Sequence, residues 1–276
     1  MNYKETSMDQ KIPQNNEKMP VLFIGHGSPI NVISENDFTK SLVKLGQNLP
    51  KPRAIMVVSA HWLTNGTYIT CMNKPETIHD FYGFPEEMYK INYPSPGAPD
   101  CAKFLVQSQD NIDCSAQWGL DHASWAVLKH MYPQADIPVF EMSLDYSFSD
   151  KNPKPVQYHY NLASKLKGLR EKGVLIMGSG NIVHNLRMAD YDMQAEPYDW
   201  AVEFDQKMKS NLLNGNVKDL INFENMGPSA SYAVPTLDHY LPMIYAVAQR
   251  EGNEPVNFIY EGFQNGSISM RCFQIG

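Results

Sequence analysis

Three apolar runs in this chain break into glycine, serine or asparagine and carry a histidine at or just past the break. VLFIGHGSP holds His26, AIMVVSAHW holds His61 and VLIMGSGNIVHN holds His184. Runs that are apolar at nearly every residue, rather than at alternate ones, suit strands buried on both faces, as in a parallel sheet covered by helices. In such sheets ligands sit just beyond the carboxyl ends of the strands. Three imidazoles delivered to one sheet edge would meet in a small volume, and imidazole is the commonest protein ligand for metals.

Helical periodicity and turn residues fill the spaces between these runs. The pattern predicts a strand over Pro20–Gly25, a helix over Ser34–Leu49 capped by Ser34, and strands over Ala54–Ala60 and Tyr68–Met72. Helices over Ala98–Gln107 and His122–Met131 and a strand over Ile137–Leu144 follow. Beyond them come one amphipathic helix over Val156–Lys172 ended by Gly173, and a strand over Val174–Met177. Helices over Asp199–Leu213 and over Asp238–Arg250, the latter capped by Asp238, precede terminal strands over Val256–Tyr260 and Ser267–Phe273. The GSGN at 178–181 reads as a tight turn that returns His184 toward the strand end. Residues 73–100, dense in Pro, Gly, Tyr and Phe, read as a long ordered loop of the kind that forms lids or walls. Strands alternating with helices predict the α/β class: one three-layer α/β/α domain over residues 20–276, after a flexible polar tail over 1–19.

A chain of 276 residues buries enough surface to need no disulfide staples. Its net charge of −7 and lack of any basic block argue against nucleic acid as a partner. Cys71, Cys101, Cys114 and Cys272 form no C-x-x-C pair, so zinc-knuckle and thioredoxin-like motifs are excluded. Scattered cysteines suit a reducing compartment. The leading MNYKETSMDQKIPQNNEK lacks the apolar stretch of a secretory signal, and no run is long enough to span a bilayer. The expectation is a cytoplasmic protein, monomeric or a small homo-oligomer, with no membrane partner.

Two more histidines join the three at strand ends. His122 follows Asp121 in GLDHASW, where the carboxylate caps the helix, orients the imidazole, or does both. His239, in TLDHYLP, interrupts an apolar helical face of Tyr240, Leu241, Ile244 and Tyr245 and is a ligand candidate. His79 lies in the loop segment IHDFYGFP. His130 and His159 lie inside helices and read as ordinary structural residues, with His159 on a solvated face (QYHYN). The GSGN segment lacks both the G-x-G-x-x-G spacing and the P-loop lysine of phosphate loops. Ser28 lacks the G-x-S-x-G frame of a nucleophile elbow, so serine hydrolysis gets little support.

Taken together, GHGSPxN, SAHW, IHDFYGFP, GLDHASW, YPxADIPV, GSGNxVHNLR and HYLP resemble the 4,5-DOPA dioxygenase-like branch of the class III extradiol ring-cleavage dioxygenases, from about Pro20 to Gly276. The resemblance implies the LigB-type α/β/α fold with a mixed central sheet and a single divalent metal. It implies His26, His61 and His239 as ligands, His184 as a ligand or an acid/base, and His122 as the histidine facing dioxygen and substrate. It also implies cleavage of a catechol such as L-DOPA by dioxygen to a semialdehyde, with His79, Phe81 and Tyr82 as candidate pocket walls. Better-studied relatives use two histidines and one glutamate. An all-imidazole set suits Zn(II) as the bound ion, whereas turnover calls for Fe(II). Two rivals stay open: a zinc hydrolase acting through a metal-bound water, and a non-enzymatic metal- or partner-binding protein on the same fold. Five converging histidines favour an enzyme, because a structural site needs only a closed ligand set.

Overall fold

Side-chain alternation in the apolar runs divides the core in two. Val21 and Phe23 face one layer while Leu22 and Ile24 face the other, and Ala54, Met56 and Val58 alternate in the same way with Ile55 and Val57. In the computed structural model, which describes residues 18–147 and 154–276, these runs lie at the centre of an eight-stranded sheet. The described elements run β1 (Val21–Gly25), α1 (Asp37–Asn48), β2 (Ala54–Thr64), β3 (Thr67–Thr70), α2 (Pro99–Ser108), β4 (Ile112–Ser115), α3 (His122–Met131) and β5 (Val139–Asp145). They continue with α4 (Pro155–Ser164), α5 (Gly168–Glu171), β6 (Val174–Gly180), α6 (Asp199–Asn214), α7 (Val217–Ile221), α8 (Pro228–Ala233) and α9 (Leu241–Ala248). Strands β7 (Val256–Tyr260), β8 (Phe263–Gln264), β9 (Ile268–Ser269) and β10 (Cys272–Ile275) close the chain.

The sheet order is β4-β3-β5-β2-β6-β1-β10-β7. Strands β5, β2, β6 and β1 are mutually parallel, and β10 is antiparallel to both β1 and β7, so the sheet is mixed. One face packs under α2, α4, α6 and α9, the other under α1 and α3. This is the expected α/β/α sandwich. Among the described residues no helix is long and apolar enough to cross a membrane.

Several local expectations give way. The first helix is capped by Asn36, whose side chain accepts from Thr39 N–H in a reciprocal capping box, while Ser34 bonds back to Ile30 O. The helix drawn over Val156–Lys172 breaks after Ser164 and resumes for one turn at Gly168; Gly173, at φ 74°, then turns the chain into β6. GSG at 178–180 is not a turn. It extends β6, pairing Gly178 with Phe23 and Gly180 with Gly25. Asp238 caps no helix, because α9 begins at Leu241 with proline in its first turn. Ser267–Phe273 divides between β9 and β10. The tail expected over 1–19 extends beyond the described residues up to position 17. Its last two residues are fixed: Lys18 pairs with Glu254 at 2.8 Å, and buried Met19 exchanges bonds with Arg170. Cys71 and Cys114 are joined in a disulfide, with Cα atoms 5.8 Å apart, because β3 and β4 lie side by side. That pairing removes the cysteine argument for a reducing compartment. Finally, His159 is fully buried, not solvated; its ring bonds Tyr245 Oη at 2.9 Å and Asp145 O at 3.0 Å.

Candidate metal centre and substrate cleft

The parallel pairing of β1, β2 and β6 is in register at their carboxyl ends, with Gly25 opposite Gly180 and Ser59 opposite Ser179. His26 leaves β1 there, its N–H donating to Gly180 O at 3.1 Å. His61 sits where the β2 ladder shifts register between Val58 and Leu63. His239 arrives from the far end of the chain. Its carbonyl accepts the N–H of Asn181 at 2.9 Å and presses so closely on Gly180 that a Cβ there would overlap it. Gly178 likewise admits the carbonyl of Pro242. The glycines of GSG are thus what lets the His239 segment lie against β6.

The rings of His26, His61 and His239 lie 5.0–5.3 Å apart, and one nitrogen from each falls within 4.8 Å of the other two. The remaining ring nitrogens face polar oxygens. His26 Nδ1 donates to Ser179 Oγ at 3.1 Å, because that hydroxyl already donates to Ala123 O at 2.6 Å. His239 Nδ1 donates to Asp238 Oδ2 at 2.5 Å, and His61 Nδ1 lies 3.3 Å from Asp80 Oδ2. Each ring therefore presents Nε2 to the shared space, the usual outer support of a metal-binding imidazole. Burial lowers the basicity of all three, reinforced by neighbouring imidazoles: His26 and His239 fall well below the ordinary histidine range and His61 falls to about 3. Three neutral nitrogens aimed at one point fit a divalent ion of the zinc or iron type.

His184 lies beside this group. Its ring stacks on His239, with centroids 3.5 Å apart and planes at 9°, and its nitrogen groups with Asp238 and His239, not with His26 and His61. Burial lowers it to about 4. His122, at the start of α3, packs 4.1 Å from the His61 ring and gives its Nδ1–H to Asp80. Asp121, the candidate orienter, takes only the capping role. Its oxygens accept from Ala123 N–H at 3.0 Å and Ser59 Oγ at 2.6 Å, and the orienting carboxylate is Asp80.

Behind these residues Glu141 is fully buried and accepts from Asp121 N–H at 2.9 Å, Trp118 Nε1 at 3.0 Å and Ser124 Oγ. Burial raises Asp121 to about 6 and Glu141 well above the usual carboxylate range.

The imidazoles form the floor of a cleft of about 430 Å³, with Phe81, Tyr82, Phe84, Leu186 and Ile268 among its apolar walls. Phe81 stands edge-on to His122, centroids 5.7 Å apart, and Tyr82 is fully exposed. His79 is not part of the lining. Its Nε2 bonds Ile91 O at 3.0 Å and its ring packs 5.5 Å from Trp125, so it holds the loop from behind. Asp80, Phe84, Leu186, Asn265 and Ile268 line the cleft without having been marked in the sequence. Asp80 carried one signal, its place inside IHDFYGFP between two residues taken for walls.

Residues 21–270 match the family model described as the catalytic LigB subunit of aromatic ring-opening dioxygenase. The chain is 44% identical over 278 residues to the 4,5-DOPA dioxygenase extradiol of Escherichia coli (strain K12), covering 98% of this chain and 100% of that one. It is 32% identical to the protein of the same description from Mirabilis jalapa, covering 89% and 92% of the two chains. A crystal structure of an uncharacterized protein from Escherichia coli K12 superposes with a TM-score of 0.80 at 39% identity, over 94% of this chain and all of that one.

Proposed function

The chain belongs to the LigB family of extradiol ring-opening dioxygenases, and on that premise we propose that its cleft opens the ring of a catechol such as L-DOPA with dioxygen to give a semialdehyde. Both oxygen atoms enter the product, so no further reductant is needed. The observation that carries the reading is the pairing of a three-imidazole floor with a fourth, separately oriented imidazole, His122, facing the same cleft.

In this reading His26, His61 and His239 hold one divalent metal. Bound there, Fe(II) would supply Lewis acidity toward the catechol hydroxyls and redox access to dioxygen. The chain does the rest. Phe81, Phe84 and Leu186 offer apolar wall against which a flat ring can lie. His122 gives its Nδ1–H to Asp80, which leaves Nε2 as the proton acceptor toward the cleft. That nitrogen takes a hydroxyl proton from the catechol and returns it as the ring opens. His184, neutral and stacked on His239, stands on the other side as a second proton carrier.

The test is to load the metal-free protein with Fe(II) under anaerobic conditions, add L-DOPA and air, and follow oxygen uptake and a yellow product. No uptake across a range of catechols would sink the proposal. The hydrolase rival predicts the reverse pattern, turnover with zinc and without dioxygen.

A further inference from the structure

The disulfide between Cys71 and Cys114 stands at the root of the two segments that carry Asp80 and His122. Cys71 lies nine residues before Asp80, and Cys114 eight residues before His122. Strands β3 and β4 run parallel, with Thr70 opposite Ser115, and Cys71 N–H donates to Ser115 O at 3.1 Å. The segments then part around a groove lined by Met72, Lys74, Gln117 and Trp118. They meet again where Leu120 N–H donates to Glu76 O and Ile78 N–H donates to Leu120 O, both at 2.7 Å. Gly119 lets this second contact close, since a Cβ there would overlap Glu76 O. Two residues further on, Asp80 takes both the N–H and the Nδ1–H of His122. The pair is thus tied covalently at one end and by carboxylate–imidazole bonds at the other.

Strand β4 is a four-residue strand at the sheet edge and pairs with β3 alone. A short edge strand with few ladder bonds opens more readily than the strands inside a sheet. The disulfide adds a covalent restraint where the ladder is weakest. Cys114 is exposed and Cys71 half-buried, so a thiol in solution can reach the bond. Cys101 and Cys272 are buried, and burial pushes their thiols up to about 11 and about 12, so neither competes in exchange.

We propose that Cys71–Cys114 is a reversible thiol–disulfide site that positions His122, and that its reduction by a low-molecular-weight thiol lowers turnover. The small thiolate attacks Cys114 Sγ, the sulfur–sulfur bond breaks, and Cys71 leaves as a thiolate that takes up a proton. A second small thiol attacks the mixed disulfide, frees Cys114 as a thiol and departs as the small disulfide. Two electrons and two protons pass to the protein, and exchange with the small disulfide reverses the change. With the bond open, β4 and the segment leading to α3 can shift against β3, and the Asp80–His122 contact loses its fixed register. The effect on turnover rests on the dioxygenase reading; the effect on the paired segments does not.

The test compares the full-length protein treated with glutathione disulfide and with reduced glutathione, the reagent then being removed without air. Thiol counts after unfolding are expected to be two and four; a count of two after reduced glutathione overturns the site. Amide hydrogen exchange at Ile78, Leu120 and His122 is expected to quicken in the reduced form and to stay unchanged in β1 and β6. Equal exchange at those three amides, or quickening throughout the sheet, overturns the local coupling. With both forms loaded with Fe(II), kcat for L-DOPA is expected to be several-fold lower in the reduced one. The double variant Cys71→Ser with Cys114→Ser should match the reduced form and ignore glutathione. Equal kcat in the two forms, or a loss confined to KM, overturns the positioning role. Absence of turnover in the closed wild type would defeat the dioxygenase reading instead, and the exchange result would still decide the coupling.

Discussion

One oxygen of Asp80 accepts the Nδ1–H of His122 at 2.8 Å while the other accepts the backbone N–H of the same residue, also at 2.8 Å. The carboxylate thereby fixes both the position and the tautomer of that imidazole. Burial alone would raise Asp80, but the bonds from His122 hold its carboxyl below the usual range. Asp80→Asn keeps the size and loses one acceptor oxygen. Its kcat at saturating metal is expected to fall by about 10–100-fold, with metal affinity also weakened because the same carboxylate supports His61. Steady-state kinetics with metal analysis checks this; a wild-type kcat would remove Asp80 from the orienting role.

Gly180→Ala places a methyl group against the carbonyl of His239. The clash is with backbone, so the His239 segment must move. The expected result is a stability loss of about 1–3 kcal/mol and a weaker metal site, read by thermal melting and by competition with a chelator. The same substitution at exposed Gly168 in α5, where a Cβ would meet nothing, should leave metal affinity unchanged.

Arg271 and Asp205 form a buried ion pair, bonded through Nε and Nη2, that ties β10 to α6. Asp205→Ala takes away the buried partner of the guanidinium and leaves it only the half-exposed Glu261 at Nη1, which should cost up to about 3–5 kcal/mol in urea unfolding. The double replacement Asp205→Leu with Arg271→Met removes both charges and should cost clearly less than the single change. Equal losses would show that the charge pairing is not what matters.

His159 supplies a pH test away from the metal site. Burial lowers it from 6.5 to about 4. Between those values the unfolded chain takes up a proton that the folded chain refuses. Stability therefore falls as pH drops from 6.5 toward 4 and levels off below. The contribution is at most about 3 kcal/mol. His159→Gln, compared with the wild type by urea unfolding across this window, should show a shallower pH slope; an identical slope would mean that His159 titrates normally.

The parallel core was legible because VLFIG, AIMVVSA and VLIMG are buried on both faces and so carry no polar alternation to confuse the reading. Helix α3 was equally plain. The network around Asp80 was not, because that residue sits in an aperiodic loop and meets its partner 42 positions along the chain. His159 misled for a related reason: its neighbours QYHYN look solvated, yet α4 packs against α9 on that side and the ring bonds Tyr245. Cys71 and Cys114, separated by 43 positions, become partners only once β3 and β4 lie together. Sequence spacing marks which side chains reach a sheet edge; it says little about which loop closes over them.

Strand β1 is the earliest strand in the described chain, yet both of its sheet neighbours come late: β6 begins at Val174 and β10 at Cys272. A ribosome making this protein therefore releases VLFIG long before anything exists to pair with it. Such long-range pairing slows folding and leaves an apolar segment open to aggregation. His26 shares that wait, because His239, which completes the imidazole cluster, follows far along the chain. The three-imidazole cluster cannot assemble until the His239 segment has been made, so capture of a metal there would report that β1, β6 and that segment have come together.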